Sequence, residues 1–178
     1  MKKVCVLLAD GFEEIEGLTV VDLLRRAKIY VDTISIMDDY IVHGAHGINV
    51  QTEDLFDEVD FDDYIGLFIT GGRSPEYIRM DYKVISLVKC FVRSGKPVAA
   101  ICHAAQVLTA ADVVCGRKLT CYPALAAEVK LAGGNYIEVA PDEAVVDCNL
   151  ITSPAWPGNT AILREFAKAL GCEFIFRP

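Results

Sequence analysis

Tryptophan and histidine are scarce in this chain, with one Trp and three His among 178 residues. No set of metal ligands can be assembled from so few imidazoles, and no metal site is expected. The seven cysteines lie scattered at positions 5, 90, 102, 115, 121, 148 and 172. None forms a Cys-x-x-Cys pair, so a zinc ribbon and a thioredoxin motif are both excluded. An odd, dispersed set of thiols suits a reducing compartment, and a cytoplasmic location is expected. The two common glycine-rich phosphate loops are also missing. No apolar run is long enough to span a bilayer. The run Val4 to Ala9 is short and stops at Asp10-Gly11, so no secretory signal is expected. Basic residues are the minority charge, 17 against 25 acidic, for a net charge of -8. That balance argues against nucleic acid or an anionic membrane as partner. Internal repeats, low-complexity segments and linkers are absent, and a single domain over 1–178 is expected.

What is present is a hydrophobic chain, 53% apolar, with strand and helix patterns in alternation. Lys3 to Ala9, Tyr30 to Ile36, Tyr64 to Thr70 and Lys96 to Ile101 read as buried strands. Helices are expected from Glu13, over Tyr82–Ser94, after Cys102, over Ala124–Leu131 and over Gly158–Leu170. Ile41-Val42 and Ile48–Gln51 form a hairpin pattern around Gly44 and Gly47. Val113 to Thr120 follows the elbow helix, Glu143–Asp147 and Leu150–Thr152 flank a turn, and Cys172–Phe176 is the expected last strand. The alternation predicts an α/β fold: a flavodoxin-like, doubly wound sandwich with a mostly parallel sheet. Such sheets bind ligands beyond the carboxyl ends of their strands. Asp10–Glu16, Thr70–Glu76 and Cys102-His103 should therefore meet in one crevice.

Cys102-His103 is the most informative pair. It stands where the strand ending at Ile101 turns into a helix, flanked by the small residues Ala100 and Ala104. A nucleophile at such a turn is aimed by the backbone over the sheet edge. The following helix N-terminus is expected to favour thiolate. The alternative is a small buried hydrophobe. His103 is adjacent in sequence; the irregular backbone of an elbow lets its imidazole reach the sulfur. Gly71-Gly72 after the third strand allows close backbone approach, and its N–H with that of His103 would form an oxyanion hole. Glu13 and Glu16 are three apart and share a helix face. One of them can face Cys102, although acidic residues in a first turn are also ordinary helix starters. Tyr122 is a candidate to line the crevice. His43 and His46 sit in the hairpin and read as peripheral. Trp156, between two prolines, suggests packing or an interface.

Together, Ala9–Glu16 (ADGFEEIE), Gly71–Glu76 (GGRSPE) and Ala99–His103 (AAICH) resemble the ThiJ/PfpI superfamily, whose fold is related to class I glutamine amidotransferases. Gly116-Arg117-Lys118, Tyr122-Pro123 and Ile151-Thr152-Ser153 fit as well. The likeness covers nearly the whole chain and implies a homo-oligomer, a small-molecule or peptide substrate and no cofactor. The PfpI-like peptidase or amidase branch implies a Cys102 nucleophile, His103 as general base and acid, and Glu76 reaching His103 from a neighbouring subunit. The parkinsonism-associated deglycase and glyoxalase branch implies Glu16 hydrogen-bonded to the cysteine sulfur. A redox sensor or chaperone is a third possibility within the superfamily. Two departures stand out: Ala104 where the PfpI-like members carry Gly, and Pro154 where a loop arginine is common. The resulting expectation is a PfpI-like cysteine hydrolase, with cofactor-free glyoxalase or protein deglycase chemistry as the alternative.

Overall fold

The computed structural model describes residues 3–172. Strand β1 (Lys3–Leu8) leads into helix α1 (Glu14–Arg26) and β2 (Tyr30–Ser35). Then come β3 (Ile41–His43), β4 (Asn49–Gln51), β5 (Asp54–Leu55) and β6 (Tyr64–Ile69). Helices α2 (Ser74–Ile78) and α3 (Tyr82–Arg93) precede β7 (Val98–Ile101). After a 3-10 turn at Cys102–Ala104 follow α4 (Ala105–Ala110), β8 (Lys118–Leu119), α5 (Ala126–Leu131) and β9 (Asn135–Tyr136). The described chain closes with β10 (Val145–Asp147), β11 (Leu150–Ser153) and α6 (Asn159–Ala169).

Seven strands form the main sheet in the order β10-β11-β7-β6-β1-β2-β5. All neighbours are parallel except the edge pair β10–β11. This is the expected doubly wound arrangement. The chain builds outward from β1 through β2 and β5, then crosses back to β6 on the other side of β1. The order reverses between β1 and β6, which places a crevice at their carboxyl ends.

The apolar runs of the central strands are continuous because both faces of the sheet are covered. Alternate residues of one run enter opposite cores. Cys5, Leu7, Leu67, Ile69, Val98 and Ala100 pack with Val84, Val88 and Phe91 of α3. Val4, Val6, Leu8, Phe68, Ala99 and Ile101 pack with Val20 and Leu24 of α1 and Ile162 and Phe166 of α6. Helix α3 begins at an Asp81 cap, whose carboxylate accepts from the Lys83 N–H at 2.8 Å.

One expectation changes and one short strand is unforeseen. Val113–Thr120 is mostly loop, with only Lys118–Leu119 in a strand, paired to β9 outside the main sheet. Strand β5 is two residues long, too short to leave a period-2 pattern. Of the last expected strand, Cys172–Phe176, everything after Cys172 lies outside the described residues.

Phe166 is fully buried and meets Phe68 edge-on at 6.0 Å between ring centroids. Phe166→Ala should cost about 3–5 kcal/mol, through lost burial and the cavity left behind. Urea unfolding of wild type and variant, read by far-UV circular dichroism, measures this.

Candidate active site

The carboxyl ends of β1, β6 and β7 lie side by side, and the segment leaving each contributes to one site. From β7, Cys102 takes φ +60°, a left-handed conformation uncommon for a non-glycine residue. The strained turn lets Ile101 complete β7 while the cysteine side chain leaves the sheet edge. Cys102 is 9% exposed.

Four groups surround its sulfur. His103 Nδ1 lies 3.2 Å away. The Glu16 carboxyl interacts with the thiol. The backbone N–H groups of His103 and Gly72 both point at the sulfur. The two N–H groups expected to form an oxyanion hole face the sulfur itself.

Glu16, in the first turn of α1, is completely buried. Its Oε2 accepts the Gly71 N–H at 2.9 Å, while Oε1 has no hydrogen-bond partner. Gly71 lies between Glu16 and Cys102. A Cβ at that position would overlap Glu16 Oε2 and come within 2.7 Å of Cys102 Cβ. Gly72 has φ +73° and packs against the backbone of Gly11–Glu13. The two glycines are needed for close approach, as their place after β6 suggests.

The electrostatics overturn one expectation. Burial pushes the Cys102 thiol up to about 12, and the Glu16 charge adds to this. The N–H groups of His103 and Gly72 oppose the rise without cancelling it. The expected helix dipole is weak because the cysteine opens a 3-10 turn and a six-residue helix. The resting sulfur is a thiol. Burial also raises the Glu16 carboxyl to about 7, assisted by the charge of Glu13, and lowers His103. The same burial that raises the sulfur thus disfavours the charged form of the imidazole beside it.

Of the remaining expected residues, Tyr122 stacks on His103 with ring centroids 4.5 Å apart. It lines the mouth of the site and braces the imidazole. Glu76 is exposed in the first turn of α2 and paired with Arg73 at 3.2 Å. Its charge opposes the lowering of His103 within the same chain. Glu13 caps α1 at the rim and turns toward the hairpin, so of the two glutamates on that face only Glu16 faces the sulfur.

The hairpin is less peripheral than expected. His46 Nδ1 lies 2.9 Å from Glu14 Oε2 and 3.5 Å from Glu13 Oε1. The donor atoms of Glu13, Glu14 and His46 all fall within 4.8 Å of one another, a spacing that could hold a cation. Hydrogen bonds from the hairpin already occupy the Glu14 carboxylate, however. Sequence reasoning missed Glu14 because its burial depends on a hairpin distant in the chain. The Glu-Glu-x-Glu pattern alone did not show which glutamate pointed where.

The fold and this site define an α/β protein with a buried cysteine elbow flanked by an imidazole and a carboxyl. The DJ-1/PfpI family profile matches residues 2–169, and the chain belongs to that family. It is 37% identical to protein DJ-1 homolog D of Arabidopsis thaliana over 96% of this chain, although it spans only 48% of that relative. It is 39% identical to deglycase TK1284 of Thermococcus kodakarensis, covering 94% of this chain and 99% of the relative. Its fold matches a crystal structure of a DJ-1 superfamily protein of Salmonella typhimurium at TM-score 0.86 and 31% identity, over 96% and 91% of the two chains.

Two predictions follow from the charges. A carboxyl raised from 4.5 to about 7 supplies stability that is complete below 4.5 and is lost as pH rises through 7. Ionising Glu16 should thus cost about 3 kcal/mol across that window. Glu16→Gln should escape the loss, so its stability advantage over wild type grows with pH in a urea unfolding series. The second prediction concerns labelling order. Cys90, Cys115 and Cys148 are exposed, Cys148 in the β10–β11 turn. Brief iodoacetamide treatment at neutral pH should modify these three before Cys102, as peptide mapping would show.

Proposed function

We propose that this protein is a cysteine hydrolase in which Cys102 attacks a carbonyl carbon. The convergence of His103 Nδ1 and two backbone N–H groups on one buried thiol carries this reading. His103 takes the thiol proton as the sulfur–carbon bond forms. The Gly72 and His103 N–H groups hold the resulting oxyanion. His103 then returns the proton to the leaving amine, and water cleaves the thioester to regenerate the thiol. Tyr122 keeps the imidazole plane fixed by stacking. In an assembled homo-oligomer, Glu76 of a neighbour would orient the same imidazole.

A second reading has its own support in Glu16. A carboxyl with a pKa near neutrality, held against the sulfur, can both give and take a proton at working pH. That suits deglycase or glyoxalase chemistry, and TK1284 carries the deglycase name. Cys102 would add to the aldehyde of a 2-oxoaldehyde or its adduct. Moving a proton from the first carbon to the second would yield a thioester, which water releases as a 2-hydroxy acid. Both readings begin with the same addition and end with thioester hydrolysis.

Assays of the purified chain on methylglyoxal, on a methylglyoxal-treated amine and on peptide amides separate them. Cys102→Ser and His103→Ala should each reduce turnover at least about 100-fold on the true substrate. Glu16→Gln should abolish aldehyde turnover but spare most amide hydrolysis. Full activity in Cys102→Ser would discard both readings.

A further inference from the structure

The β3–β4 hairpin is fastened along the segment that carries the catalytic glutamate. Gly11 N–H donates to His43 O at 2.6 Å, and Ala45 N–H donates to Phe12 O at 3.0 Å. Phe12 bridges to Gly44 on one side and to Gly72 on the other. Arg73 N–H donates to Gly11 O at 2.7 Å. Residues 10–14 are thus sandwiched between the hairpin and the loop that supplies the Gly72 N–H.

A further tie runs through the Glu14 side chain. Glu14 is 5% exposed, an unusual place for a carboxylate. Its Oε1 accepts the N–H groups of His46 at 2.6 Å and Ile48 at 3.2 Å, and its Oε2 faces His46 Nδ1 at 2.9 Å. A Cβ at Gly44 would overlap this carboxylate, so the hairpin fits flush against it. Despite burial, these hydrogen bonds hold Glu14 below the usual carboxylate range. Glu14 opens α1 two residues before Glu16. The other end of the same turn is held by Asn159 Nδ2, which donates to Ile15 O at 2.9 Å.

We infer that Glu14 and His46 are positioning residues whose hydrogen-bonded pair sets the first turn of α1, and with it the Glu16 carboxyl, against the Cys102 sulfur. The inference rests on Glu16 acting on Cys102, as proposed above. Its test needs no substrate. The charged or titratable groups facing Cys102 are Glu16 and His103, and those facing His46 are Glu13 and Glu14. If Glu16 is allowed to drift, Cys102 loses the neighbouring charge that raises its pKa.

The experiment is iodoacetamide labelling of the full chain across pH, with each cysteine followed by peptide mass spectrometry. The variants are Glu14→Ala, Glu14→Gln, His46→Ala and His46→Asn. In the Ala variants, the Cys102 labelling midpoint should fall by about one pH unit, a tenfold faster reaction at neutral pH. Turnover of an aldehyde substrate should fall about tenfold at the same time, while amide hydrolysis should be largely spared. Asn presents an N–H where the imidazole Nδ1 stood, and Gln keeps the acceptor for both backbone N–H groups. These two variants should therefore restore most of the wild-type profile. His46 is largely exposed, so His46→Ala remains informative if Glu14→Ala does not fold. An unchanged Cys102 profile in His46→Ala would overturn the inference. So would parallel exposure of the buried Cys5 and Cys121, which would signal general loosening, or failure of His46→Asn to restore the profile. Failure of the proposed catalytic reading would instead appear as full activity in Cys102→Ser with the labelling shifts intact.

Discussion

The contact between Glu16 and Cys102 across Gly71 is the constraint on which the site depends. One side chain from the first turn of α1 and one from the turn after β7 approach the Gly71 backbone so closely that no Cβ fits between them. The carboxyl is wholly buried, with one oxygen bonded to the Gly71 N–H and the other unpartnered. Such a group is costly to ionise, and burying it works against stability at neutral pH. The fold tolerates the arrangement because three parallel strands and two apolar cores fix the surrounding backbone. Those cores contribute broadly, whereas the site draws on that stability locally.

The same contact decides how the cysteine is activated. At an exposed helix N-terminus, a low-pKa thiolate would be maintained at rest. Here burial and a nearby carboxylate hold the sulfur protonated. On the reading proposed above, activation occurs during reaction, by transfer to the His103 imidazole 3.2 Å away, whose pKa burial lowers. Stacking by Tyr122 limits the imidazole to one plane, so the Nδ1–sulfur alignment survives without a buried hydrogen-bond partner on the ring's far side. A reactive sulfur shielded in this way is less exposed to adventitious chemistry than Cys90, Cys115 or Cys148.

Much of this was legible in the sequence. Continuous apolar runs and the strand-to-helix break at Cys102 marked a doubly wound sheet with a nucleophile at its edge. The glycine pair after the third strand marked a loop that approaches closely. Both signals are local, set by a few adjacent residues. What stayed hidden was decided by distant partners. Glu13, Glu14 and Glu16 look alike as acidic starters of a helix, yet they end at the rim, against the hairpin and against the sulfur. Their fates depend on His46, Gly71 and Cys102, none of which is near them in the chain. The cysteine pKa was misjudged for the same reason. Local geometry suggested a dipole, whereas burial and a remote carboxylate set the charge.

The hairpin shows how a short peripheral element can matter to a buried centre. Residues 11–13 are hydrogen-bonded on both edges, to the hairpin through Gly11 N–H and Phe12 O and to the 71–73 loop through Gly11 O and Glu13 N–H, so a shift of Gly44 on one side passes through this short segment to Gly72 on the other. Gly72 supplies one N–H aimed at the sulfur, and Glu14 at the start of α1 sits two residues from the carboxyl that also meets it. Both routes from the hairpin therefore end on the same atom. Sequence changes in the turn at 43–48 would retune the site without touching Cys102, His103 or Glu16. Within this fold, the rigid strands fix where chemistry can occur, and the hairpin clasp governs how closely its groups are held.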